Sequence, residues 1–196
     1  MKTINRVYDS YAQAREAVKA LEAGGVAAND ISLIANKHVS REHADVTEVS
    51  DAAKGAGIGA VLGGGAGLLA GLGMLAIPGL GPVVAAGWLA STAAVGAAGA
   101  LAGGIVGALV DAGESHEHAH VYSEVVRRGG TLVSVRVPDS EVSRVHAIME
   151  AYRPIDPTAR AADYRGAGWS GTFDPAAPAY RPNAGEIERI RRDWAA

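Results

Sequence analysis

No charged side chain occurs between residues 55 and 110, and a glycine recurs at every fourth position in the first part of this stretch. Glycine in a helix interior costs about 1 kcal/mol relative to alanine, so a regular row of glycines requires a compensating role. Small residues four apart share one helix face, where they allow two backbones to approach closely, above all in lipid. The spacing predicts a helix-packing stripe of Gly55, Gly59, Gly63, Gly67, Gly71, Gly99, Gly103 and Gly107.

The uncharged stretch is interrupted at residues 77–82 by Ile-Pro-Gly-Leu-Gly-Pro, a strong helix-breaking cluster. This pattern predicts a helical hairpin within residues 53–112, with arms at 55–77 and 83–110. Such arms would be about 35 and 42 Å long, against a hydrocarbon core of about 30 Å. We therefore expect the hairpin to insert in or associate with membrane lipid. A free monomer in water would expose a large apolar patch, which soluble proteins rarely do. Self-association is therefore the main alternative to membrane association, and burial of the hairpin within a monomer is the third.

The polar sequence on either side of the hairpin shows regular helix and strand patterns. The predicted order is strand–helix–strand before the hairpin and helix–strand–helix after it. Each half is too small to bury a core alone, so we expect one α/β domain of three strands, residues 1–152, split by the hairpin. The predicted strands are Thr3–Tyr8, Ile31–Ala35 and Thr131–Val137, and the helices start near Ser10, Ser115 and Asp139.

The last predicted strand alternates, with Val133, Val135 and Val137 on one side and Ser134 and Arg136 on the other. That pattern is typical of a strand with one face in the core and one in solvent. The remaining residues, 153–196, contain five of the eight prolines and are predicted to form an extended tail, with a short helix at 183–194.

Composition excludes several functions. The chain of 196 residues has no cysteine, so disulfides, thiolate catalysis and cysteine-bound zinc are excluded. A net charge of −3 provides no strong field for nucleic acid. The amino terminus has no apolar core of a secretory signal, so we expect the protein at the cytoplasmic side of the cell membrane or in the cytoplasm.

One catalytic motif is present. Residues 116–120, His-Glu-His-Ala-His, match the H-E-x-x-H pattern, in which two histidines one helical turn apart bind zinc and the glutamate acts as a base. His116 and His120 are the candidate ligands, Glu117 is the candidate base, and Glu141 is the candidate third ligand. Three interpretations compete: a metal-dependent hydrolase, an incidental metal-binding or pH-sensitive patch, and a solvated helix start, which we favour.

The glycines also allow a nucleotide-binding interpretation, because Gly55-x-Gly57-x-x-Ala60 loosely resembles the dinucleotide fingerprint. That fingerprint follows a strand and needs an acidic residue about twenty positions later. Here a polar stretch precedes the glycines and the next acid is Asp111. No cofactor is predicted.

Residues 6–36 and 118–152 resemble the two halves of the general stress protein 17M-like (heat-induced stress protein) domain family. The resemblance rests on the order of the elements and on three short motifs: Tyr8-Asp9, Asp30-Ile31-Ser32 and Gly129-Gly130-Thr131. It implies a role in the stress response and no enzymatic activity. The family has no established catalytic residues, so no residue role is transferred.

Overall fold

The structure is a computed structural model and describes residues 1–36, 73–77, 80–89, 104–177 and 180. It is a mixed α/β structure, which confirms the class expected from the sequence. Five helices are present in the described residues: α1 (Tyr11–Ala23), α2 (Gly104–Asp111), α3 (His116–Arg127), α4 (Val142–Glu150) and α5 (Pro157–Gly166). The strands are β1 (Lys2–Tyr8), β2 (Ile31–Asn36), β3 (Gly73–Ile77), β4 (Gly81–Ala86) and β5 (Thr131–Val137).

The strands form one sheet in the spatial order β1-β5-β2-β4-β3, and every neighbouring pair is antiparallel. Strand β5, which comes late in the chain, lies between β1 and β2, which come first. Its Val135 pairs with Ile4 on one side and with Ile31 on the other. The three strands expected from the sequence are therefore present and adjacent.

Helix α1 shows how the local sequence produces one helical layer. The Ser10 side chain accepts a hydrogen bond from the Gln13 amide at 3.2 Å, which satisfies a free donor at the helix start. The helix ends before Gly25, whose positive φ of 87° suits glycine. Its buried stripe packs with α4 against one face of the sheet. The stripe consists of Tyr11, Ala14, Ala17, Val18 and Leu21.

Helices α2, α3 and α5 contribute to the core on the opposite face. On α3 the predicted inward residues Ala119, Tyr122 and Val126 are all buried. This second layer corrects the expectation that β5 has a solvent face. Leu132 and Ser134 point to the α3 side and are fully buried, because a helix covers that face too.

The predicted helical arms are wrong at their junction. Residues 73–77 and 81–86 are strands, and β4 extends the sheet by pairing with β2, Ala85 opposite Ile34. The physical reason is that the free edge of β2 offers backbone partners, and the helix breakers of the 77–82 cluster favour a chain reversal over a helix. Leu80 is fully buried in the core on the α3 side. Helix α2 agrees with the end of the predicted second arm, and the remaining parts of both arms lie outside the described residues.

The interpretation of residues 153–196 as an extended tail is also wrong in its first part. Helix α5 starts with an Asp156 side chain that accepts from the Ala159 amide at 2.8 Å, followed by Pro157 at a position where proline is favoured. Ala161 and Phe173 are buried against the α3 side of the core, and this burial is the reason that the segment folds. The predicted helix at 183–194 lies outside the described residues.

Candidate functional site: the histidine turn and the carboxy-terminal strap

The histidine turn, residues 114–120, begins α3 at one end of the sheet. Ser115 caps the helix by accepting from the His118 amide at 3.2 Å. The Glu114 carboxylate accepts from the Asn5 side-chain amide of β1 at 3.1 Å, and its other oxygen lies 3.1 Å from Nδ1 of His118. The turn is therefore joined to the first strand by the residue that precedes the cap.

The three histidines of the turn have different surroundings. His116 is exposed, whereas the side chain of His118 lies beside Glu114. His120 is partly buried, and its Nδ1 accepts the backbone N–H of Phe173 at 3.1 Å. Burial, with a smaller contribution from neighbouring His116, lowers the pKa of His120. The three histidines therefore differ in exposure and in hydrogen-bond partner.

The zinc-protease geometry is not completed by the described residues. His116 and His120 lie one turn apart on α3. Because Nδ1 of His120 accepts the Phe173 amide, only Nε2 of His120 remains for binding a metal ion. The proposed base Glu117 forms an ion pair with Arg165 at 3.0 Å. Among the described residues, no group of three or more histidine, aspartate and glutamate side chains is placed to hold a metal ion.

The prediction that Glu141 is the third metal ligand is wrong. It directly precedes α4, which packs with α1 on the other face of the sheet. There its carboxylate binds Arg144, with 2.7 Å between Nε and the carboxylate oxygen. Arg144 also donates to the backbone oxygen of Gly24, which fixes this end of α4 to the end of α1. The sheet separates Glu141 from the histidine turn.

The carboxy-terminal strap, residues 168–177, follows α5 and lies across α3. Its core is a tight turn in which the Trp169 indole donates to the backbone oxygen of Thr172 at 3.0 Å. Gly171 has a positive φ of 91°, and the Trp169 ring packs edge to face with Tyr164, 6.1 Å between centroids. Phe173 then enters the core on the α3 side. The strap is therefore a formed structure attached to α3 by an aromatic side chain and one hydrogen bond.

The end of α3 carries a second charged cluster. Glu124 is 1 % exposed, and its carboxylate binds Arg127 at 2.6 Å and Arg128 at 2.6 Å. The Arg128 guanidinium lies 4.2 Å from the centre of the Tyr164 ring, and Tyr180 lies near both arginines, at 5.2 and 5.1 Å. The buried Glu124 carboxylate thus positions two guanidinium groups that contact the aromatic rings of Tyr164 and Tyr180.

A third set of contacts attaches the tail to β1. The Ile155 amide donates to the Val7 oxygen at 2.8 Å, and Arg160 binds both oxygens of Asp9 at 2.8 and 3.1 Å. Sequence reasoning missed all of this docking. Two signals were present: the Asp156-Pro157 helix start and the aromatic residues at 164, 169 and 173 in a segment treated as linker.

The β1 edge also contains a charged side-chain network. Arg6 binds Glu150 of α4 at 2.8 Å and contacts His146. Tyr122 of α3 lies close enough to Arg6 for a hydrogen bond, but burial dominates and raises the pKa of Tyr122 to about 12. These groups therefore link the two helical layers around the edge of the sheet.

The residues that carry the family resemblance have structural contacts. The Tyr8 hydroxyl donates to the Met149 oxygen at 3.1 Å, and Ser32 donates to the Ala86 oxygen at 2.8 Å. Asp30 pairs with Arg136 at 3.1 Å. At Gly130 an added Cβ would lie 2.4 Å from a Val125 methyl and 2.8 Å from the Tyr8 oxygen. These contacts lie at different places along the sheet and its two layers.

Of the predicted helix-packing glycines, the described residues include Gly107 alone. It lies in α2, and apart from the backbone of its own helix and its chain neighbours no heavy atom of the described structure approaches its Cβ position within 4 Å. A close approach does occur at Gly87, directly after β4. There φ is 88° and a Cβ would lie 2.2 Å from the Ile31 oxygen, so glycine is required by the strand ending. The helix-packing role of the stripe stays a prediction.

Comparisons with family models, curated proteins and solved structures found no match to this chain. No helix in the described ranges is long and apolar enough to cross a membrane.

Proposed function

We propose that this chain is a non-enzymatic, stress-associated protein whose α/β domain, residues 1–152, carries a glycine-rich segment that associates with a membrane. The observation that carries the non-enzymatic part is the use of the resemblance residues as structural contacts. Tyr8, Asp9, Asp30 and Ser32 each bind a partner elsewhere in the fold. A catalytic site instead requires such groups to converge around one reacting atom. The stress association rests on the sequence resemblance.

The position of the β3–β4 hairpin supports presentation of the uncharged segment. Gly73 pairs with Ala85, so the chain enters β3 and leaves β4 at neighbouring points. Gly73 and Ala85, which are paired, therefore lie side by side at the edge of the sheet, and in the sequence the uncharged residues 55–72 precede Gly73 and 90–103 follow soon after Ala85. We propose that these two apolar flanks enter the same apolar environment.

The strands also change the preferred mode of membrane association. With 73–86 in the sheet, residues 55–72 would extend about 27 Å as a helix and residues 90–103 about 21 Å. The second length is below the hydrocarbon thickness of about 30 Å. We therefore favour association with one membrane leaflet over a helical hairpin that spans the bilayer twice, and we place the protein at the cytoplasmic side.

Self-association is the second candidate, and a specific observation favours it. Strand β3 is the outermost strand of the described sheet, and its sequence, Gly-Met-Leu-Ala-Ile, has no charge or proline. Edge strands without such residues pair readily with other strands. A soluble assembly built on β3 and the glycine-rich flanks is the alternative to membrane association.

Liposome flotation of the full chain tests the first proposal. We expect wild type to float with vesicles of anionic and zwitterionic lipid. A variant with residues 55–72 replaced by a Gly-Ser linker of equal length should stay at the bottom. Gly63→Leu tests the stripe, and Gly166→Leu is its matched control, because Gly166 has open space around its Cβ position.

The outcomes separate the candidates. Equal flotation of wild type and the linker variant would overturn membrane association through this segment. A large wild-type assembly by light scattering without lipid, lost in the linker variant, would favour the scaffold. A chelator-sensitive hydrolytic activity that requires His116 and His120 would contradict the non-enzymatic proposal.

A further inference from the structure

We propose that the carboxy-terminal strap is a pH-gated cover on α3, held closed by neutral His120 and released when that imidazole is protonated. The strap is residues 168–177, and the gate is the hydrogen bond from the Phe173 amide to Nδ1 of His120. This proposal does not depend on the membrane proposal.

The chemistry of the contact sets the direction of the gate. A backbone N–H can only donate, so Nδ1 must carry a lone pair for the 3.1 Å contact to be a hydrogen bond. The proton of neutral His120 is then on Nε2. Protonation places hydrogen on both ring nitrogens, and Nδ1–H then faces the Phe173 N–H. An attractive contact becomes a repulsive one, and the Phe173 amide loses its acceptor.

The charged groups around His120 influence how readily its imidazole is protonated. On its own helix His116 precedes it by one turn, and Glu124 follows by one turn but is occupied by two arginines. From α5 comes Arg165, which is paired with Glu117. The strap contributes Asp174, whose Oδ1 accepts from the Ala176 amide at 2.8 Å.

Burial and the neighbouring His116 favour neutral His120 in the closed form. The nearby carboxylates of Glu124, Glu117 and Asp174 are each occupied by another group. A positive charge on the neighbouring His116 opposes protonation of His120. Burial and His116 together lower the pKa of His120, so the strap is closed near neutral pH and opens under acid conditions.

Release is confined to the strap by the way the tail is built. Helix α5 has its own attachments through Arg160 to Asp9 and through Ala161 to the core, which do not involve His120. The turn between Trp169 and Thr172 is held by contacts within the strap, and Trp169 also joins it to Tyr164 of α5. Opening therefore displaces Phe173, which is 7 % exposed when closed, from α3 while the Trp169 end of the strap stays on α5.

Amide exchange of the full chain, measured by nuclear magnetic resonance at about pH 7.5 and about pH 5 with a chelator present, tests the gate. We expect the protection factor of the Phe173 amide, corrected for intrinsic exchange, to fall about tenfold in acid, because one hydrogen bond is replaced by repulsion. The Ala167 amide, which donates within α5 at 3.1 Å, should keep its protection and serves as the internal control.

Two variants make the test specific. His120→Gln retains an acceptor that does not titrate, so Phe173 protection should become independent of pH. His116→Gln is the matched control on the exposed side of the same helix turn, and its Phe173 amide should keep the pH response.

The wild-type titration decides between the remaining outcomes. The 15N shifts of the His120 ring and of the Phe173 amide should titrate with one midpoint. Separate midpoints, unchanged wild-type protection, or an equal pH response in His120→Gln would each overturn the gate. If His120→Gln leaves Phe173 unprotected at both pH values while the wild-type midpoints coincide, the gate holds and the contact requires the imidazole.

Discussion

The two helical layers of the domain are attached to the same sheet by different kinds of contact. The α1–α4 side is a mainly aliphatic core in which Leu21, Val133 and Val145 are fully buried, and the rings of Tyr8 and Tyr11 also belong to it. The α3 side has an equally buried core around Leu132, but among the described residues it also contains most of the buried polar side chains and the apolar contacts of α5 and the strap. These buried polar residues are Asn5, Ser32, Asn36, Ser123, Glu124 and Ser134.

This difference separates stability from conformational control. Most contacts on the α1–α4 side are aliphatic and non-directional, and the hydrogen bond from the Tyr8 hydroxyl to the Met149 oxygen is a buried directional contact there. Polar contacts such as Asn5 to Glu114 and Phe173 to His120 depend on distance, angle and protonation. A segment that changes position with conditions is therefore expected on the α3 side, where the strap lies.

The largest expected effect is loss of core volume. Leu21→Ala on the α1 side and Leu132→Ala on the α3 side each replace a fully buried isobutyl group with a methyl group and should lower the free energy of unfolding by about 3 kcal/mol. Urea denaturation measures both values. A loss below about 1 kcal/mol for only one of them would show that its layer collapses around the cavity, and the two cores would then not be equally packed.

Glu124→Gln comes next, and it acts only on the α3 side. The variant leaves Arg127 and Arg128 without their buried carboxylate, so we expect a loss of about 2 kcal/mol, a value typical of hydrogen bonds to charged groups. Glu150→Gln is the control, because Glu150 is 46 % exposed and such pairs contribute about 0.5 kcal/mol or less. Equal effects of the two variants in urea denaturation would contradict the assigned role of burial.

The two serine caps offer a comparison matched in residue type. Ser10 caps α1 and Ser115 caps α3, each with a side-chain oxygen 3.2 Å from a backbone amide. Ser10→Ala and Ser115→Ala should each cost about 1 kcal/mol in thermal unfolding. If Ser115→Ala costs clearly less, the Glu114 carboxylate beside that helix start compensates for the lost cap, and the α3 side has a second, ionic cap.

The smallest expected effect is a pH dependence from His120. Its pKa is lowered in the folded state relative to the usual value near 6.5, so the unfolded chain binds the proton more readily. This contribution to stability is complete above about pH 6.5 and decreases as the pH falls below it. The difference between wild type and His120→Gln in urea denaturation from about pH 8 to about pH 5 isolates it. A parallel dependence in both proteins would contradict the assignment.

Local sequence patterns predicted the elements whose residues contact near neighbours or form a regular stripe. The strand at Thr131–Val137 and the helix after Ser10 have the expected bounds within a few residues, because strand alternation and helix caps are properties of a short stretch. The alternation also predicted the direction in which Val133 and Val135 face. It did not predict the burial of Ser134, because that burial depends on α3 covering the second face of the sheet.

The incorrect predictions share one physical cause. The segments 73–76 and 83–86, on either side of the helix-breaking cluster, have helix-compatible apolar residues, but β4 pairs with the edge of β2, which lies far away in the chain, and β3 pairs with β4. The segment at 157–177 contains many polar residues and two prolines, but Ala161 and Phe173 pack in the apolar core on the α3 side. In both cases a long-range partner changed the preferred structure of a segment whose local preference was weak.

By itself the sequence determined the mixed α/β class, the three strands of its polar parts and the inward stripes of α1 and α3, because periodicity reports which side of an element is apolar. Only the tertiary structure decided that the junction of the uncharged segment joins the sheet, that Glu141 and the histidine turn lie on opposite faces, and that the tail closes over His120. Those features depend on which surfaces meet in space, and a one-dimensional pattern does not contain that information.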